Sequence, residues 1–483
     1  MEPVTDNAGP AFGPMPAGHH TVPRPTRYWI GILAILLLLT EQSALGFTMI
    51  APSLPHIAGT FKTAQVVWVM TAFTLSGVVA SPIIGKLADR YGKQKMLGIT
   101  AAISAVGALI SATAPTFPIL VAGRFVSGVG FACMALGYTL IRDIFPSRLQ
   151  ATAIGLANTG VGFVGVVSMV LAGAMIDHLG VRSVFWFAFG FCALGGLLTL
   201  WLVPETPIRS HSQIDWGGAF MLAVSMFVLM LALSRGAIWG WTSRTTLICF
   251  VVAAIGLAVW IAWELRVSEP LIRLDLIALP AMRYVLIGGG IAYGATTLMA
   301  TVMPMLLQSP KSMGYGHGLS TTHQAIWMMP GQLMIVASGF IASVAAKSLG
   351  YRRILVIGAA TLALSAALFA VVPTAPAALI ALWGLFGLGC MIYAAVPNIA
   401  LRVLPETERA VGSNFVGVSQ TAAGTVLSAI GFAVLDQYST DAHREVAYQA
   451  AGFRGVFIVA AVAATIGAVV ALAIPRKAGD FAL

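Results

Sequence analysis

Long apolar segments recur along the whole chain, and they constrain its fold more than any other feature. Runs of about 20 apolar residues alternate with short loops that hold most of the charged residues. Hydrophobic residues make up 58% of the chain and charged residues only 9%, against about 25% charged residues in a typical soluble domain. Strands of a membrane barrel would be half as long and would alternate in polarity. The sequence therefore predicts a helical protein that crosses a membrane many times.

We predict fourteen membrane-spanning helices between residues 28 and 474. An even number of spans places both ends of the chain on the same side of the membrane. Of the 27 Lys and Arg residues, 19 fall in the segments that share a side with the N-terminus, and seven fall in the opposite loops. Because basic loops stay in the cytoplasm, we expect both termini to lie inside. This asymmetry also accounts for the net charge of +10 without a nucleic-acid partner.

No phosphate loop, nucleotide fold, metal-ligand spacing or catalytic triad can be found in the sequence. The four cysteines all fall inside apolar runs, where helix packing is their expected role. We therefore expect no enzyme activity, no bound metal and no cofactor. An ion gradient, with protons as the default ion, would supply the energy for any transport.

A charged loop follows the second apolar run and carries a recognisable motif. It resembles the loop between helices two and three of the major facilitator superfamily, whose pattern reads G-x-L-a-D-R-x-G-r-k. The residues that fit this pattern are Gly85, Leu87, Asp89, Arg90, Gly92 and Lys93. The resemblance implies a gate, in which Gly85 lets the other half approach and Asp89 accepts backbone N–H groups from a facing helix terminus. A loop that only sets topology is the alternative.

The spacing of this loop recurs in the second half of the chain. Pro146 follows Gly92 by 54 residues, and Pro405 follows Gly350 by 55 residues. Secondary transporters use such repeats to place a site between two halves that rock around it. With further matches near Asp215 and in the loops beside it, residues 28–475 resemble the fourteen-helix drug:proton antiporter branch of the superfamily.

The resemblance implies an all-α membrane protein with the major facilitator fold, made of two six-helix bundles and two extra helices. It would be a monomer and a multi-pass protein of the cell membrane. The predicted parts are a disordered cytoplasmic tail (1–26), an N-terminal six-helix bundle (27–208), two extra helices with cytoplasmic linkers (209–280), a C-terminal six-helix bundle (281–475) and a second cytoplasmic tail (476–483).

One carboxylate lies deep within an apolar run, and it is Glu41. A charge at mid-membrane costs about 2.5–3.5 kcal/mol on insertion scales, so such residues usually face a cavity or a partner. Desolvation favours the protonated carboxyl, which suits a proton carrier or a site for a cationic substrate. The alternative is a neutral Glu41 that is hydrogen-bonded to Gln42 or to a nearby helix.

Arg124 is the matching deep cation. At about 1.5 Å per residue, Glu41 lies roughly 20 Å from the inner end of helix one, and Arg124 roughly 10 Å from the outer end of helix four. In a hydrocarbon core about 30 Å thick, both residues fall at a similar depth. We predict an alternating Glu41–Arg124 contact, so that protonation of Glu41 releases Arg124. A static ion pair, or an Arg124 bound to backbone carbonyls, is the alternative.

Apolar, Met-rich and aromatic side chains with scattered polar groups line the candidate cavity. Such a wall suits hydrophobic ligands and loose specificity. We also predict that Pro330 and Pro397 break helices ten and twelve near this cavity. Helix packing is the alternative role for each residue. The candidate cavity residues are Gln42, Asn158, Tyr293, Met299, Met303, Gln324, Trp327, Met328, Tyr393, Asn398, Asn414 and Gln420.

These features predict a secondary active transporter that exports lipophilic, cationic compounds in exchange for protons by alternating access. Its partners would be the lipid bilayer, a small lipophilic substrate and protons, and its activity would confer antibiotic resistance. In helix five, Ser168 and Met169 stand where antiporters of the family carry Gly-Pro. A lipid or specific metabolite carrier is therefore the alternative within transport, and a non-transporting membrane receptor or scaffold is the alternative outside it.

Overall fold

The computed structural model of the protein describes residues 25–63, 65–206, 215–267, 279–371, 375–404, 409–442 and 445–475, together with Pro270 and Leu274. Most of these residues are helical. In the first half the helices are α1 (Thr26–Thr40), α2 (Gln42–Thr48), α3 (Leu54–Phe61), α4 (Val67–Tyr91), α5 (Lys93–Thr113), α6 (Phe117–Gly128), α7 (Ala132–Ile144), α8 (Ser147–Leu179) and α9 (Ser183–Leu202).

The remaining helices follow the same up-and-down course. They are α10 (Trp216–Trp239), α11 (Arg244–Glu264), α12 (Pro280–Gln308), α13 (Thr321–Leu349), α14 (Tyr351–Phe369), α15 (Pro376–Gly389), α16 (Ile392–Val403), α17 (Arg409–Asp436) and α18 (Ala450–Leu472). Polar residues begin several of them, since a side-chain oxygen can accept a free backbone N–H of the first turn. Asp215, Ser243 and Ser320 act in this way on α10, α11 and α13.

Within the described residues, twelve helical segments are long and apolar enough to cross a membrane. Three of them are composite. Helices α1 to α3 form one segment (Thr26–Phe61), α6 with α7 a second (Phe117–Ile144), and α15 with α16 a third (Pro376–Val403). Helices α8 and α17, of 33 and 28 residues, lie beside these segments at the positions of the predicted fifth and thirteenth spans. The chain is therefore a multi-pass helical membrane protein, and the count of fourteen spans stays a prediction.

Each half of the chain packs into a bundle. Helix α5 packs on α6 and α9 in the first half, and α12 packs on α17 and α18 in the second. Small residues permit the closest approaches. A Cβ on Gly467 would lie 2.9 Å from the carbonyl oxygen of Gly288, so α12 and α18 touch backbone to backbone there. The two halves meet where α8 packs on α13 and α4 on α17, while α10 and α11 pair with each other.

The internal repeat is visible in the backbone. Gly92 and Gly350 end α4 and α13 with positive φ angles of 109° and 76°, and each N–H bonds to the carbonyl four residues before it. Only glycine adopts such angles readily. Helices four and twelve of the prediction are both interrupted near their middle, at Val129–Phe131 and at Cys390 with Met391. We call the end of the bundle that carries Gly92 and Gly350 the glycine end.

The described residues confirm the helical membrane fold, and a short two-stranded hairpin accompanies the helices. Strand β1 (Ser439–Ala442) pairs with the antiparallel strand β2 (Glu445–Tyr448), and Ser439 lies opposite Tyr448. The Tyr315 hydroxyl donates to the carbonyl of Tyr448, which ties the hairpin to the loop after α12. Strand β2 also contacts α3. We call this end of the bundle the hairpin end, and it lies opposite the glycine end.

The prediction that prolines break two helices is wrong. Helix α13 continues through Pro330, and α16 continues through Pro397. The interruption lies instead at Cys390, whose N–H is shared by the carbonyls of Phe386 and Gly387, both at 3.2 Å. The glycines of α15 weaken the helix at this point, while packing holds the proline-containing turns in place.

Candidate functional site

Glu41 lies at the junction of α1 and α2, inside the bundle. Its backbone has φ −83° and ψ −7°, away from the α-helical ψ of about −42°, so the helix is interrupted at this residue. The side chain is 3% exposed. Neither carboxylate oxygen has a hydrogen-bond partner among the described residues. An ionised carboxylate without partners is unfavourable in such a place.

Arg124 is also buried, with 3% of its surface exposed. Its Nε donates to the carbonyl of Val69 at 3.0 Å, and its Nη2 donates to the carbonyl of Gly46 at 2.8 Å. The guanidinium carbon stands 4.0 Å from the centre of the Phe73 ring, a favourable cation–π position. Arg124 therefore joins α6 to α4 and to α2.

The carbonyl of Gly46 can receive Arg124 because the helix tightens just beyond it. Ile50 donates its N–H to Phe47 at 3.3 Å instead of to Gly46, the partner that a regular α-helix would give it. Gly46 lies five residues after Glu41, or about 7.5 Å along the helix axis. The guanidinium of Arg124 is therefore bound to the same interrupted helix that carries Glu41, whose carboxylate has no hydrogen-bond partner among the described residues.

Glu41 and Arg124 are not joined in this structure. The ion pairs formed within the described ranges do not include either residue. Arg124 instead binds backbone carbonyls, the alternative that the sequence had left open. The alternating Glu41–Arg124 contact stays a prediction for another conformation.

Gln42 does not bond to Glu41 but belongs to a buried polar network. Its Nε2 donates to the Ser104 hydroxyl. Ser104 in turn donates to the carbonyl of Ser127 at 2.8 Å, and the Ser127 hydroxyl donates back to the carbonyl of Ser104 at 3.2 Å. A Cβ on Gly130 would collide with the Gln42 amide. Gln42 therefore positions α2 against α5 and α6 beside Glu41.

The gating motif lies at the glycine end. Asp89 has a half-exposed side chain, 49% accessible, and it stands 3.8 Å from Lys93. Lys93 makes its shorter contact with the buried carboxylate of Asp143 on α7, at 2.5 Å. Nothing lies within 4 Å of a Cβ built on Gly85, so the close approach predicted at Gly85 is not made here. Arg90 is exposed and lies over its neighbour Tyr91.

Gly92 has a clear structural reason to be glycine. Its φ of 109° disfavours other residues, and a Cβ would collide with the carboxylate of Glu205. Glu205 accepts the backbone N–H groups of Gln94 at 2.9 Å and Lys95 at 3.1 Å, at the start of α5. A carboxylate is stabilised at a helix N-terminus. The motif loop is thus held within the first half, while the predicted contact of Asp89 with the other half stays a prediction.

Among the candidate cavity residues, Tyr293 and Tyr393 form the most distinct cluster. Their ring centres lie 5.2 Å apart, and the Tyr393 hydroxyl is 2.8 Å from that of Thr296. Tyr393 lies in the first turn of α16, after the interruption at Cys390, and is 37% exposed. The exposed part of Tyr393 is the part of this aromatic pair that could contact a bound molecule.

Other candidate residues divide into three groups. Met299, Met303, Gln324 and Met328 are buried and pack inside the second half. Trp327, Asn398 and Gln420 are half-buried, and the Asn398 amide donates to the carbonyl of Ala394 at 2.8 Å. Asn158 and Asn414 lie on α8 and α17, and their side chains fall outside the described residues.

Sequence reasoning missed two acids that organise the glycine end. Asp143 and Glu205 are at helix ends, where acids are common, so their sequence positions did not indicate which groups they bind. The spacing between Lys93 and Asp143 is 50 residues, which only the fold brings together. An acid in the last turn of a helix is locally unfavourable. Asp143 occupies such a position in α7 and is paired with the distant Lys93, so an acid placed in this way can indicate a distant basic partner.

The fold and these buried groups define a multi-pass membrane transporter. The family model described as Major Facilitator Superfamily matches residues 36–272 and 285–480. The chain therefore belongs to the Major Facilitator Superfamily, a family of transporters rather than enzymes.

Two relatives and one solved structure illustrate the similarity. The uncharacterized MFS-type transporter YcnB of Bacillus subtilis (strain 168) is 23% identical over 90% of this chain and 93% of the relative. Multidrug resistance protein Stp of Mycobacterium tuberculosis (strain CDC 1551 / Oshkosh) is 27% identical over 79% of this chain and 71% of the relative. A POT family transporter in complex with a thioalcohol-conjugated peptide matches with a TM-score of 0.68 and 14% identity, over 93% of this chain and 96% of that chain.

Proposed function

We propose that the protein exports lipophilic cations across the cell membrane in exchange for protons, by alternating access. The observation that carries this proposal is the buried Glu41, whose carboxylate oxygens have no hydrogen-bond partner among the described residues. A carboxylate in such a place needs either a proton or a cation to neutralise it. If a proton and a cationic substrate neutralise Glu41 in turn, their movements are coupled.

Arg124 would be the partner that responds to the protonation of Glu41. With Glu41 neutral, Arg124 would donate hydrogen bonds to the carbonyls of Gly46 and Val69, as it does in the described conformation. With Glu41 ionised and no substrate bound, the carboxylate would attract the guanidinium away from Gly46. That movement would pull on α2 and α4 together. Proton loss would thus favour a different arrangement of the first half.

The aromatic pair supports a lipophilic, cationic substrate. The rings of Tyr293 and Tyr393 lie together, with their centres 5.2 Å apart, and aromatic faces attract both flat apolar molecules and cations. Multidrug resistance protein Stp, by its name, acts in resistance to several drugs, and we extend that class of substrate to this chain. The proposed role in antibiotic resistance follows from it.

The proposal includes the topology predicted from charge. With α8 and α17 added to the twelve apolar segments, the chain would cross the membrane fourteen times, as in the drug:proton antiporter branch. The glycine end would then face the cytoplasm, together with both termini. In that orientation the hairpin end would face the outside. The two halves of the protein contact each other at that end in the described conformation.

Ethidium accumulation in cells tests the function. We expect cells that express the wild type to accumulate less ethidium than cells with an empty vector, and a protonophore to abolish the difference. Glu41→Gln should abolish it as well, because the amide cannot exchange a proton. Glu264→Gln is the matched control, since Glu264 is equally buried but lies at the end of α11.

Each rival function has a distinct outcome in this experiment. Unchanged ethidium accumulation at good expression of the wild type would contradict export of this cation. Export of a lipid or a single metabolite without ethidium export would then identify a specific carrier. A purified protein that binds such a compound but shows no flux in vesicles would be a receptor or scaffold.

A further inference from the structure

Asp177 joins the two halves of the protein at the hairpin end. It lies near the end of α8, in the first half, and its Oδ1 accepts the backbone N–H of Thr321 at 3.1 Å. Its Oδ2 accepts the backbone N–H of Thr322 at 2.9 Å. Both donors belong to the first turn of α13, in the second half. The carboxylate therefore occupies the N-terminus of a helix that does not belong to its own bundle.

The position of Asp177 within its own helix is electrostatically unfavourable. Helix α8 ends at Leu179, and the carbonyl groups of a last turn repel a negative charge. The N-terminus of α13 offers the opposite dipole and two free N–H groups. Asp177 therefore gains its stabilisation across the interface between the halves, and that gain exists only while the two helix ends stay together.

The backbone around Asp177 is built for close contact. A Cβ on Gly173, one turn earlier in α8, would lie 2.7 Å from the Cα of Thr322. The absence of a side chain at Gly173 thus lets α8 approach the start of α13 closely. Any larger residue at this position would push the carboxylate of Asp177 away from its two donors.

A second polar contact crosses the same interface. The Gln308 amide donates to the carbonyl of Pro52 at 2.9 Å and to the Gln324 side chain at 3.1 Å. Leu54 and Ile57 of the first half are fully buried here, in one apolar cluster with Leu306 of α12. The hairpin end is therefore closed in this structure by apolar packing that is held in register by a few hydrogen bonds.

We infer that Asp177 is a positioning residue for transport, which latches the hairpin end shut by binding the N-terminus of α13. This inference rests on the proposed alternation between two states, but it concerns the energy difference between them and not the substrate. The contact is of the kind predicted for Asp89 at the glycine end. Here it is observed at the opposite end, between α8 and α13.

Spin labels on the two halves can test the latch without any substrate. Thr113, at the end of α5, and Ser312, in the loop before α13, are exposed at the hairpin end. Each is replaced by cysteine and labelled in a background without the half-buried Cys249, the other cysteines being buried. Pulsed electron paramagnetic resonance then gives the distance distribution between the labels in the full chain.

We expect one dominant short distance in the wild-type background. Asp177→Asn should shift the ratio of the two populations about 5- to 30-fold toward the longer distance. The asparagine side chain carries no negative charge, and it has one acceptor oxygen where the carboxylate has two. Asp177→Glu should recover part of the short-distance population. Asp215→Asn is the matched control. The Asp215 side chain also caps a helix, but the partners that the structure describes for it are Gly218 and Trp263 of the extra helices.

A second variant removes a donor and leaves the carboxylate intact. Thr321→Pro deletes the N–H that Asp177 Oδ1 accepts, at a first-turn position where proline fits a helix. Ser320 precedes it with φ −65° and ψ 161°, which suits a residue before proline. We expect this variant also to lengthen the distance, although less than Asp177→Asn does.

The latch is wrong if Asp177→Asn and Thr321→Pro both leave the distance distribution as in the wild type, or if Asp215→Asn changes it equally. These outcomes are independent of the proposed function. If the wild type showed no proton-coupled flux while Asp177→Asn still shifted the distances, the export proposal would fail and the latch would stand.

Discussion

Arg124 donates a hydrogen bond from Nη2 to the carbonyl oxygen of Gly46 at 2.8 Å, and so binds a buried cation to the backbone of an interrupted helix. The contact lies little more than one turn from Glu41, on the same helix. Together with the hydrogen bond to Val69, it fixes the relative position of α2, α4 and α6. The proposed coupling depends on this arrangement, because a change in the charge of Glu41 acts on Arg124 nearby.

Arg124→Lys tests whether the geometry of the guanidinium matters beyond its charge. A lysine keeps the charge but has neither the planar fork nor the flat face that lies on Phe73. We expect transport to fall at least about tenfold and stability to fall by about 1.5–3 kcal/mol, the value of a hydrogen bond to a charged group. Ethidium flux and thermal unfolding in detergent measure the two effects. Transport equal to that of the wild type would show that only the charge is needed.

Gly92→Ala tests the reason for the glycine in the motif loop. The substitution adds strain at φ 109° and a collision with Glu205, so we expect the unfolding midpoint to fall by at least about 2 °C. Gly180→Ala is the matched control, since Gly180 has φ 81° but nothing within 4 Å of a built Cβ. A drop of equal size in both variants would mean that strain alone explains the glycine, and that Glu205 plays no part.

The ion pair of Lys93 with Asp143 should dominate the stability of the glycine end. Asp143→Asn leaves a buried ammonium without its 2.5 Å partner, and removing one member of such a pair costs about 3–5 kcal/mol. Asp89→Asn is the control, because Asp89 is half-exposed and 3.8 Å from the same lysine, where pairs contribute at most about 1 kcal/mol. Thermal unfolding of both variants decides the question, and equal losses would contradict this account.

Much of the fold could be predicted from the sequence because the physics is local to each span. Apolar runs long enough to cross a membrane must be helical, and the Gly92 and Gly350 loops revealed the repeat. The burial of Glu41 and Arg124 followed from their apolar neighbours. The hairpin at Ser439–Tyr448 gave no comparable signal, since its strands are four residues each and are held by contacts with distant loops.

The partners of the buried charges could not be predicted, because they depend on where helices are interrupted. The carbonyl of Gly46 accepts from Arg124 and not from Ile50, whose N–H bonds to Phe47, and no residue pattern in the sequence indicates this exchange. Likewise, only the fold brings Asp143 beside Lys93. It also brings Asp177 beside the start of α13. The sequence predicted helix breaks at Pro330 and Pro397, but packing keeps both helices continuous at these residues.

Substitutions at Tyr393 test the proposed substrate surface. Tyr393→Leu removes the aromatic face, and we expect it to raise the KM for ethidium about 5- to 10-fold, in line with the strength of aromatic and cation–π contacts. Tyr393→Phe keeps the ring and loses only the hydroxyl that meets Thr296, so its KM should change less than about threefold. An unchanged KM in Tyr393→Leu would place the substrate elsewhere.

Proton movement in vesicles that contain the purified protein tests the central claim most directly. A pH-sensitive dye inside the vesicles records the protons that move when ethidium is added outside. We predict that the wild type and Glu264→Gln move protons in exchange for ethidium, and that Glu41→Gln moves none. Ethidium-driven proton movement in Glu41→Gln at the wild-type rate would contradict the account, since coupling would then not pass through the buried carboxylate.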